Sequence, residues 1–181
     1  MALTLACAFA TSDQSHEHAR IAEDLGYERA WFYDSPALYP DVWVQLCRAA
    51  ERTKKIGLGP GVLVPHLRHP MTNAAAIATL VSIAGQKRVV VGIGSGFTGR
   101  LTMGQRPLKW SYVSEYVRVL RALLRGEEVT WDDQKVTSVD WRTYHSLPLG
   151  FEVPKIETLL LDLPDEGATG AGETGQPAKG A

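Results

Sequence analysis

The chain has 181 residues, of which 45% are hydrophobic and 22% are charged, and its formal net charge is −1. This composition is typical of a globular protein with one core, and the charge argues against nucleic acid or an anionic membrane as a partner. No basic segment precedes the first apolar stretch, and no apolar run approaches the roughly 20 residues of a membrane span, so we expect a cytoplasmic protein.

Strand and helix patterns alternate along the chain from its first residues. Short apolar runs predict four strands, at residues 3–9, 30–34, 56–63 and 89–93. The first helix begins at a cap, Ser12 or Ser15, carries Ala19, Ala22 and Leu25 on one face, and ends at Gly26.

Three further helices are predicted between and after these strands. Asp41 caps the second, whose face carries Val44, Cys47 and Ala50 or Glu51. The third follows His69-Pro70 and runs to about residue 84. The fourth has the clearest apolar stripe, which consists of Val113, Tyr116, Val117, Leu120, Leu123 and Leu124.

Four successive βα units predict a parallel sheet whose strands are adjacent and in sequential order. An open doubly wound sheet and a (β/α)₈ TIM barrel both begin in this way. Residues 127–139 predict a small hairpin with Asp132 and Asp133 at its turn, and residues 158–161 a fifth strand. Residues 164–181 contain almost no large apolar side chain, which predicts a disordered tail.

The segment Val89-Val90-Val91-Gly92-Ile93-Gly94-Ser95-Gly96 is the most informative. Its apolar run is typical of a strand buried on both faces, and glycine at the carboxyl end of a strand allows a ligand to approach the backbone. A Rossmann phosphate loop is disfavoured, because Phe97 occupies the third glycine position and no helix is predicted directly behind it. Alternatively, the glycines only relieve crowding between strands.

Several short motifs resemble the luciferase-like monooxygenase superfamily, in the subgroup that is similar to methylenetetrahydromethanopterin reductase. The resemblance covers roughly residues 1–161. Its motifs are Ala22-Glu23-Asp24-Leu25-Gly26-Tyr27, Trp31-Phe32-Tyr33-Asp34, Gly59-Pro60-Gly61-Val62, Arg68-His69-Pro70, residues 88–96, Phe97-Thr98-Gly99-Arg100 and Met103-Gly104-Gln105-Arg106-Pro107.

The resemblance implies a flavin-dependent oxidoreductase on a TIM barrel, with FMN or the deazaflavin coenzyme F420 as cofactor, a small-molecule substrate and, in the intact family, a homodimer. A whole barrel needs about 250 residues. We therefore expect residues 1–163 to form an incomplete, C-terminally truncated barrel of four to five βα units, and residues 164–181 to be the tail. Such a sheet has an open edge and an uncovered inner face, which predicts self-association or dye binding.

The resemblance also implies a cofactor site at the carboxyl ends of the strands. Asp34 is a ring or substrate contact, Gly61 and Val62 form a bulge with a cis peptide behind the ring, and Ser95 and Gly96 present amides and a hydroxyl. Read without the family, Asp34 caps the next loop and Gly61-Val62 is a plain β-bulge. Phe97 stands where some deazaflavin relatives carry a glutamate proton donor, so no catalytic residue is assigned.

Other candidate residues carry weaker signals. Arg68 either reaches an anionic cofactor tail or lies in solvent, and His66 and His69 lack a recognisable third ligand, so no metal site is predicted. Cys7 and Cys47 are interpreted as buried free thiols, with a disulfide less favoured. Trp110, Tyr112 and Tyr116 are interpreted as core and helix-face residues.

These observations support three hypotheses. The first is an oxidoreductase of the luciferase-like type. The second is a non-catalytic fragment that binds no cofactor or acts only by pairing with another chain, and the third is a small open-sheet nucleotide-binding module.

Overall fold

The computed structural model describes residues 3–137, which form two sheets and a layer of helices. The strands are β1 (Ala6–Phe9), β2 (Arg29–Phe32), β3 (Gly57–Pro60), β4 (Glu128–Trp131) and β5 (Gln134–Thr137). The helices are α1 (Ser15–Asp24), α2 (Val42–Arg52), α3 (Pro70–Ala84), α4 (Phe97–Leu101) and α5 (Trp110–Leu124). Two 3₁₀ turns, Pro65–Leu67 and Gln86–Arg88, flank α3.

The main sheet is parallel, with its strands in the order β1-β2-β3. Ala6 lies opposite Arg29, which in turn lies opposite Gly57. The predicted adjacency, direction and order of these three strands are therefore confirmed. Connections through helices account for this order, because crossovers between parallel strands favour placing each strand next to its predecessor.

The fourth predicted strand, residues 89–93, lies parallel to β3 but is not a regular strand. It forms two isolated bridges, Leu58 with Val89 and Leu63 with Ile93. Between the two bridges the chain advances five residues from Leu58 to Leu63, but only four from Val89 to Ile93. The segment that follows β3 therefore contains one extra residue. That insertion is a β-bulge, and a bulge interrupts the regular ladder.

The core lies between the main sheet and helices α1, α2, α3 and α5. In β2, Ala30 and Phe32 point to the helices and are fully buried. The predicted stripe of α5 is confirmed in large part, with Tyr116 and Leu120 at its centre.

Two predicted faces are wrong in detail. Leu25, which follows α1, is 72% exposed because the chain turns away there through Gly26 at φ +83°. On α2, Val44 is 56% exposed, whereas Val42 and Leu46 face the core. Of the other predicted residues, Ala50 is buried and Cys47 is half-buried, so the predicted stripe departs from the buried face of α2 mainly at Val44.

The helix caps follow the sequence only in part. The Asp41 carboxylate accepts hydrogen bonds from the amides of Trp43 and Val44, as predicted. His69 caps α3, its Nδ1 accepting from the Met71 amide. Neither predicted serine caps α1, which begins after Gln14 without a side-chain cap.

A short helix, α4, was not predicted. Gly96, in the left-handed conformation at φ +74°, turns the chain directly into Phe97–Leu101. The expectation that no helix follows the glycine segment is therefore wrong. The reason is that the left-handed conformation of one glycine ends the extended segment within a single residue.

The hairpin β4-β5 is confirmed, with Asp132 and Asp133 at positive φ in its two-residue turn. It packs on α5 through Trp131, whose ring meets those of Tyr112 and Tyr116 edge-on. Tyr116 is buried as predicted, but Trp110 is 68% exposed. The predicted fifth strand, the domain boundary at residue 163 and the tail lie outside the described residues. Within residues 3–137, no helix has the length and apolar character needed to cross a membrane.

Candidate functional site

A cavity of about 300 Å³ opens at the carboxyl-terminal edge of the main sheet. Three connections form it, those that follow β2, β3 and residues 89–93. This volume is at the lower limit of small-molecule sites, which measure about 300–1,000 Å³. The lining residues are Tyr33, Asp34, Ser35, Tyr39, Gly61, Val62, Val64, Gly96, Phe97, Thr98 and Gly99.

Four of the five predicted site residues, Asp34, Gly61, Val62 and Gly96, line this cavity together. Residues distant in sequence meet there because the carboxyl ends of parallel strands share one edge. Ser95 is not among the lining residues, and its carbonyl accepts a hydrogen bond from Leu108 at 2.9 Å. A cofactor-binding role for each of the five remains a prediction.

The peptide bond between Gly61 and Val62 is cis, as the resemblance implies, and lies in the bulge of the β3 side. Val62 is 43% exposed at the cavity. A Cβ at Gly61 would lie 2.9 Å from the Cβ of Trp31. Position 61 therefore requires glycine because any larger residue would clash with Trp31 on the neighbouring strand β2.

The glycines of the segment 89–96 make room for side chains of the bulge. A Cβ at Gly94 would lie 2.7 Å from Val62 Cγ2, and one at Gly96 would fall against Val64 Cγ1. Of the two interpretations, relief of crowding therefore accounts for these two positions. Gly94 and Gly96 contribute to the site by leaving room for Val62 and Val64, which line the cavity.

Asp34 lies below the cavity surface and is paired with Arg68. The Arg68 Nη1 atom is 3.1 and 3.0 Å from the two carboxylate oxygens, and the Val64 amide donates to Oδ2 at 3.3 Å. The other terminal nitrogen of Arg68 donates to Asp41 at 2.8 Å. Burial raises the pKa of Asp34, and the Arg68 charge opposes that rise.

This arrangement corrects both interpretations of Arg68 and one of Asp34. Arg68 neither lies in solvent nor is free for an anionic tail, because two carboxylates occupy its guanidinium. The Asp34 carboxylate anchors the Val64 amide, thirty residues away, rather than capping its own loop. Sequence alone did not pair these residues because no local spacing links positions 34, 41 and 68.

Three aromatic side chains at the cavity were not predicted as site residues. Tyr33 and Tyr39 approach each other with ring centroids 6.2 Å apart, and Phe97 is 67% exposed. Thr11 holds the position of Tyr33 by donating to its carbonyl at 2.8 Å. A signal existed for Tyr33, which stands next to Asp34 at the end of a predicted strand.

The described residues contain no group of three side chains suited to hold a metal ion. Burial and the Arg100 charge lower the pKa of His66. Cys7 and Cys47 are free thiols, half-buried rather than fully buried. Burial raises the pKa of both, so neither thiol is activated as a nucleophile.

The family model of the luciferase-like monooxygenases matches residues 8–149. With the parallel sheet and the cavity at its carboxyl edge, this match defines the class: the chain belongs to the luciferase-like monooxygenase family. A curated relative, 5,10-methylenetetrahydromethanopterin reductase of Methanopyrus kandleri, is 46% identical over 77 residues, which are 42% of this chain and 22% of that protein.

Two solved structures show the same fold. The coenzyme F420-dependent tetrahydromethanopterin reductase of Methanopyrus kandleri has a TM-score of 0.65 at 27% identity, with 77% of this chain and 46% of that chain covered. The FMN complex of the oxygenating constituent of 3,6-diketocamphane monooxygenase, from Pseudomonas putida, has a TM-score of 0.63 at 20% identity, with 76% and 44% covered. The chain thus spans less than half of the length of the relatives that it matches, and its fold is the corresponding part of their TIM barrel.

Proposed function

We propose that this chain carries the ring-binding part of a cofactor-dependent oxidoreductase, and that the cavity takes the planar ring of FMN or of the deazaflavin coenzyme F420. The observation that carries the proposal is the position of exposed apolar and aromatic side chains, Val62, Tyr33 and Phe97, around one cavity at the carboxyl edge. In α/β barrels this edge is where substrates and cofactors bind.

The residues present fit the ring of such a cofactor. The described lining is apolar, aromatic and hydroxylated, and its one carboxylate, Asp34, is already paired with Arg68. An extended aromatic ring packs favourably against such side chains. The described lining contains no arginine, lysine or histidine, so the proposal concerns the ring and assigns no residue to a phosphate.

When bound, such a cofactor supplies hydride-transfer or oxygen chemistry, while the protein supplies binding and orientation. In this chain Val62 would offer an apolar contact to the ring. Phe97, on α4, would offer a second, aromatic contact. No catalytic residue is assigned among the side chains described at the cavity.

Between the two cofactors, we favour the deazaflavin. The Methanopyrus kandleri structure, at 27% identity, is named as dependent on coenzyme F420, whereas the FMN-bound structure, at 20% identity, supports the fold alone. The substrate that we propose is a small organic molecule that binds beside the ring, and the compartment that we propose is the cytoplasm.

The test is a titration of the purified chain with FMN and, separately, with coenzyme F420, followed by absorption and fluorescence. Val62→Asp places a charge in the proposed ring site, and Val44→Asp is its matched control, since both valines are exposed but only Val62 lines the cavity. We expect Val62→Asp to weaken binding at least about tenfold and Val44→Asp to leave it unchanged. Equal affinities for the two variants, or no spectral change with either cofactor, would contradict the proposal.

A second candidate function is association with another polypeptide, without catalysis. It is favoured by the inner face of the main sheet, where Ala6 and Ala8 are exposed and Nη1 of Arg29 is buried without a hydrogen-bond partner. A homodimer, as in the intact family, is one form of this association. Sedimentation of the purified chain with and without a hydrophobic dye tests it, and a monomer that binds no dye would contradict it.

A further inference from the structure

A continuous series of buried hydrogen bonds runs from the helix layer to the connection after β3. The indole of Trp43 on α2 donates to Asn73 Oδ1 on α3 at 2.9 Å. The Asn73 amide donates to the hydroxyl of Tyr116 on α5 at 2.6 Å, and this hydroxyl donates to the Arg68 carbonyl at 3.1 Å. Burial raises the pKa of Tyr116 to about 12, so its phenol keeps the proton that it donates.

Arg68 continues the series toward the cavity through its side chain. Its guanidinium holds the carboxylates of Asp34 and Asp41, and Asp34 in turn accepts the amide of Val64. Val64 is a lining residue of the cavity, next to the exposed Val62. Three helices are thus connected to the wall of the site through one arginine.

The Asp34 carboxylate is buried, and both of its oxygens are already hydrogen-bonded within the protein. Its side chain is 1% exposed, Oδ1 accepts from Arg68, and Oδ2 accepts from both Arg68 and the Val64 amide. A group in this position acts on the site through the backbone that it holds. Leaving a buried amide and a guanidinium without acceptors would be costly, because each then loses its solvation without compensation.

We propose that Asp34, Arg68 and Tyr116 are positioning residues that fix the cavity wall at residues 62–64, rather than groups that touch the cofactor. That this wall binds a cofactor rests on the proposed function. The anchoring of the wall by these residues does not depend on a ligand. Tyr116, more than 80 residues from Asp34 in sequence, thereby becomes part of the site although it does not line the cavity.

The anchoring is measured by amide hydrogen exchange on the ligand-free chain. The variants are Asp34→Asn and Tyr116→Phe, and the control is Glu115→Gln, the preceding residue on α5, whose exposed carboxylate pairs with Arg118. We expect exchange of the Val64 amide to accelerate about tenfold in Asp34→Asn and about threefold in Tyr116→Phe, and to stay unchanged in the control. The Leu120 amide, in the core of α5, reports global opening and is the internal reference.

Acceleration at Val64 beyond that at Leu120 supports the proposal. An unchanged Val64 amide, or equal acceleration at both amides in both variants, overturns it. Should Asp34→Asn not fold, the Tyr116→Phe variant, which removes one oxygen atom, decides the question alone. The double variant is expected to match Asp34→Asn, because both residues act in one series.

Cofactor titration of the same variants separates positioning from contact. A positioning role predicts weaker binding in Asp34→Asn with an unaltered absorption spectrum of the bound ring, and an altered spectrum would show direct contact and overturn the proposal. If the unmodified chain binds neither FMN nor coenzyme F420, the proposed function fails while the exchange result still decides the anchoring.

Discussion

The two edges of the main sheet are held in different ways. At the amino-terminal edge, the Glu23 carboxylate accepts the amides of Lys54, Lys55 and Ile56 at 2.6–3.0 Å. Arg88 donates to the carbonyls of Thr53 and Ile56 beside it. The Glu23 carboxylate and the Arg88 guanidinium are thus both hydrogen-bonded to the backbone that precedes β3. We refer to this end of the sheet as the closed edge and to the carboxyl-terminal end as the open edge.

The carboxyl-terminal edge also has a carboxylate, but it is arranged to leave space. Asp34 holds one backbone amide and Arg68 from below, and the cavity lies above, with Val62 and Phe97 exposed. The comparison shows that the charges at one end of the sheet are paired with backbone, whereas a largely apolar cavity lies at the other end. Barrel proteins in general divide their two faces in this way.

The largest effect on the free energy of unfolding is expected from a substitution in the middle of the main sheet, between the two edges. A Cβ at Gly59 would lie 1.6 Å from the Val90 carbonyl oxygen, which is backbone and cannot move away. We expect Gly59→Ala to lower the free energy of unfolding by about 3 kcal/mol, measured by urea denaturation. Gly57→Ala is the control, because its Cβ would meet only the flexible end of Arg29. Equal losses in the two variants would show that the contact with Val90 does not matter.

A smaller effect on the free energy of unfolding is expected from a substitution at the closed edge. Burial raises the pKa of Glu23, but the amides of Ile56, Lys55 and Lys54 outweigh it and lower the pKa below its usual value. The stabilisation is therefore present above about pH 4.3 and is lost as the pH falls through the pKa of the folded state. Glu23→Gln should lower the free energy of unfolding by about 1 kcal/mol at pH 7 and by less at pH 3.

Urea denaturation at both pH values checks the Glu23 prediction. Glu51→Gln, at an exposed position on α2, serves as the control and should have little effect. A loss in Glu23→Gln that is independent of pH would mean that the carboxylate charge does not hold this edge.

A substitution at the open edge should change the free energy of unfolding least. It should instead reduce the affinity for the proposed cofactor. We expect Phe97→Ala to change the free energy of unfolding by less than about 0.5 kcal/mol, since the side chain is 67% exposed. The affinity for the cofactor should fall about threefold to tenfold through loss of an aromatic contact. Trp110→Ala, an exposed aromatic outside the cavity lining, should leave the affinity unchanged. A comparable loss of affinity in Trp110→Ala would remove Phe97 from the site.

Much of the fold followed from local pattern. The apolar runs and the helix spacing located β1, β2, β3 and α5, and Asp41 and His69 are caps whose hydrogen bonds reach only two or three residues along the chain. These features need no knowledge of distant residues. The choice of Asp34, Gly61, Val62 and Gly96 came partly from the resemblance and partly from the rule that strand ends share an edge.

Tertiary structure decided what those residues do. The bulge that interrupts the pairing with residues 89–93, the steric need for Gly61 beside Trp31, and the pairing of Asp34 with Arg68 all join positions about 30 residues apart. The alternating glycines show the same limit, because Gly94 and Gly96 make room for Val62 and Val64. Sequence pattern determines which residues form an element and which end of it they occupy. It does not determine which side chains meet across the sheet, because that depends on register and packing between elements.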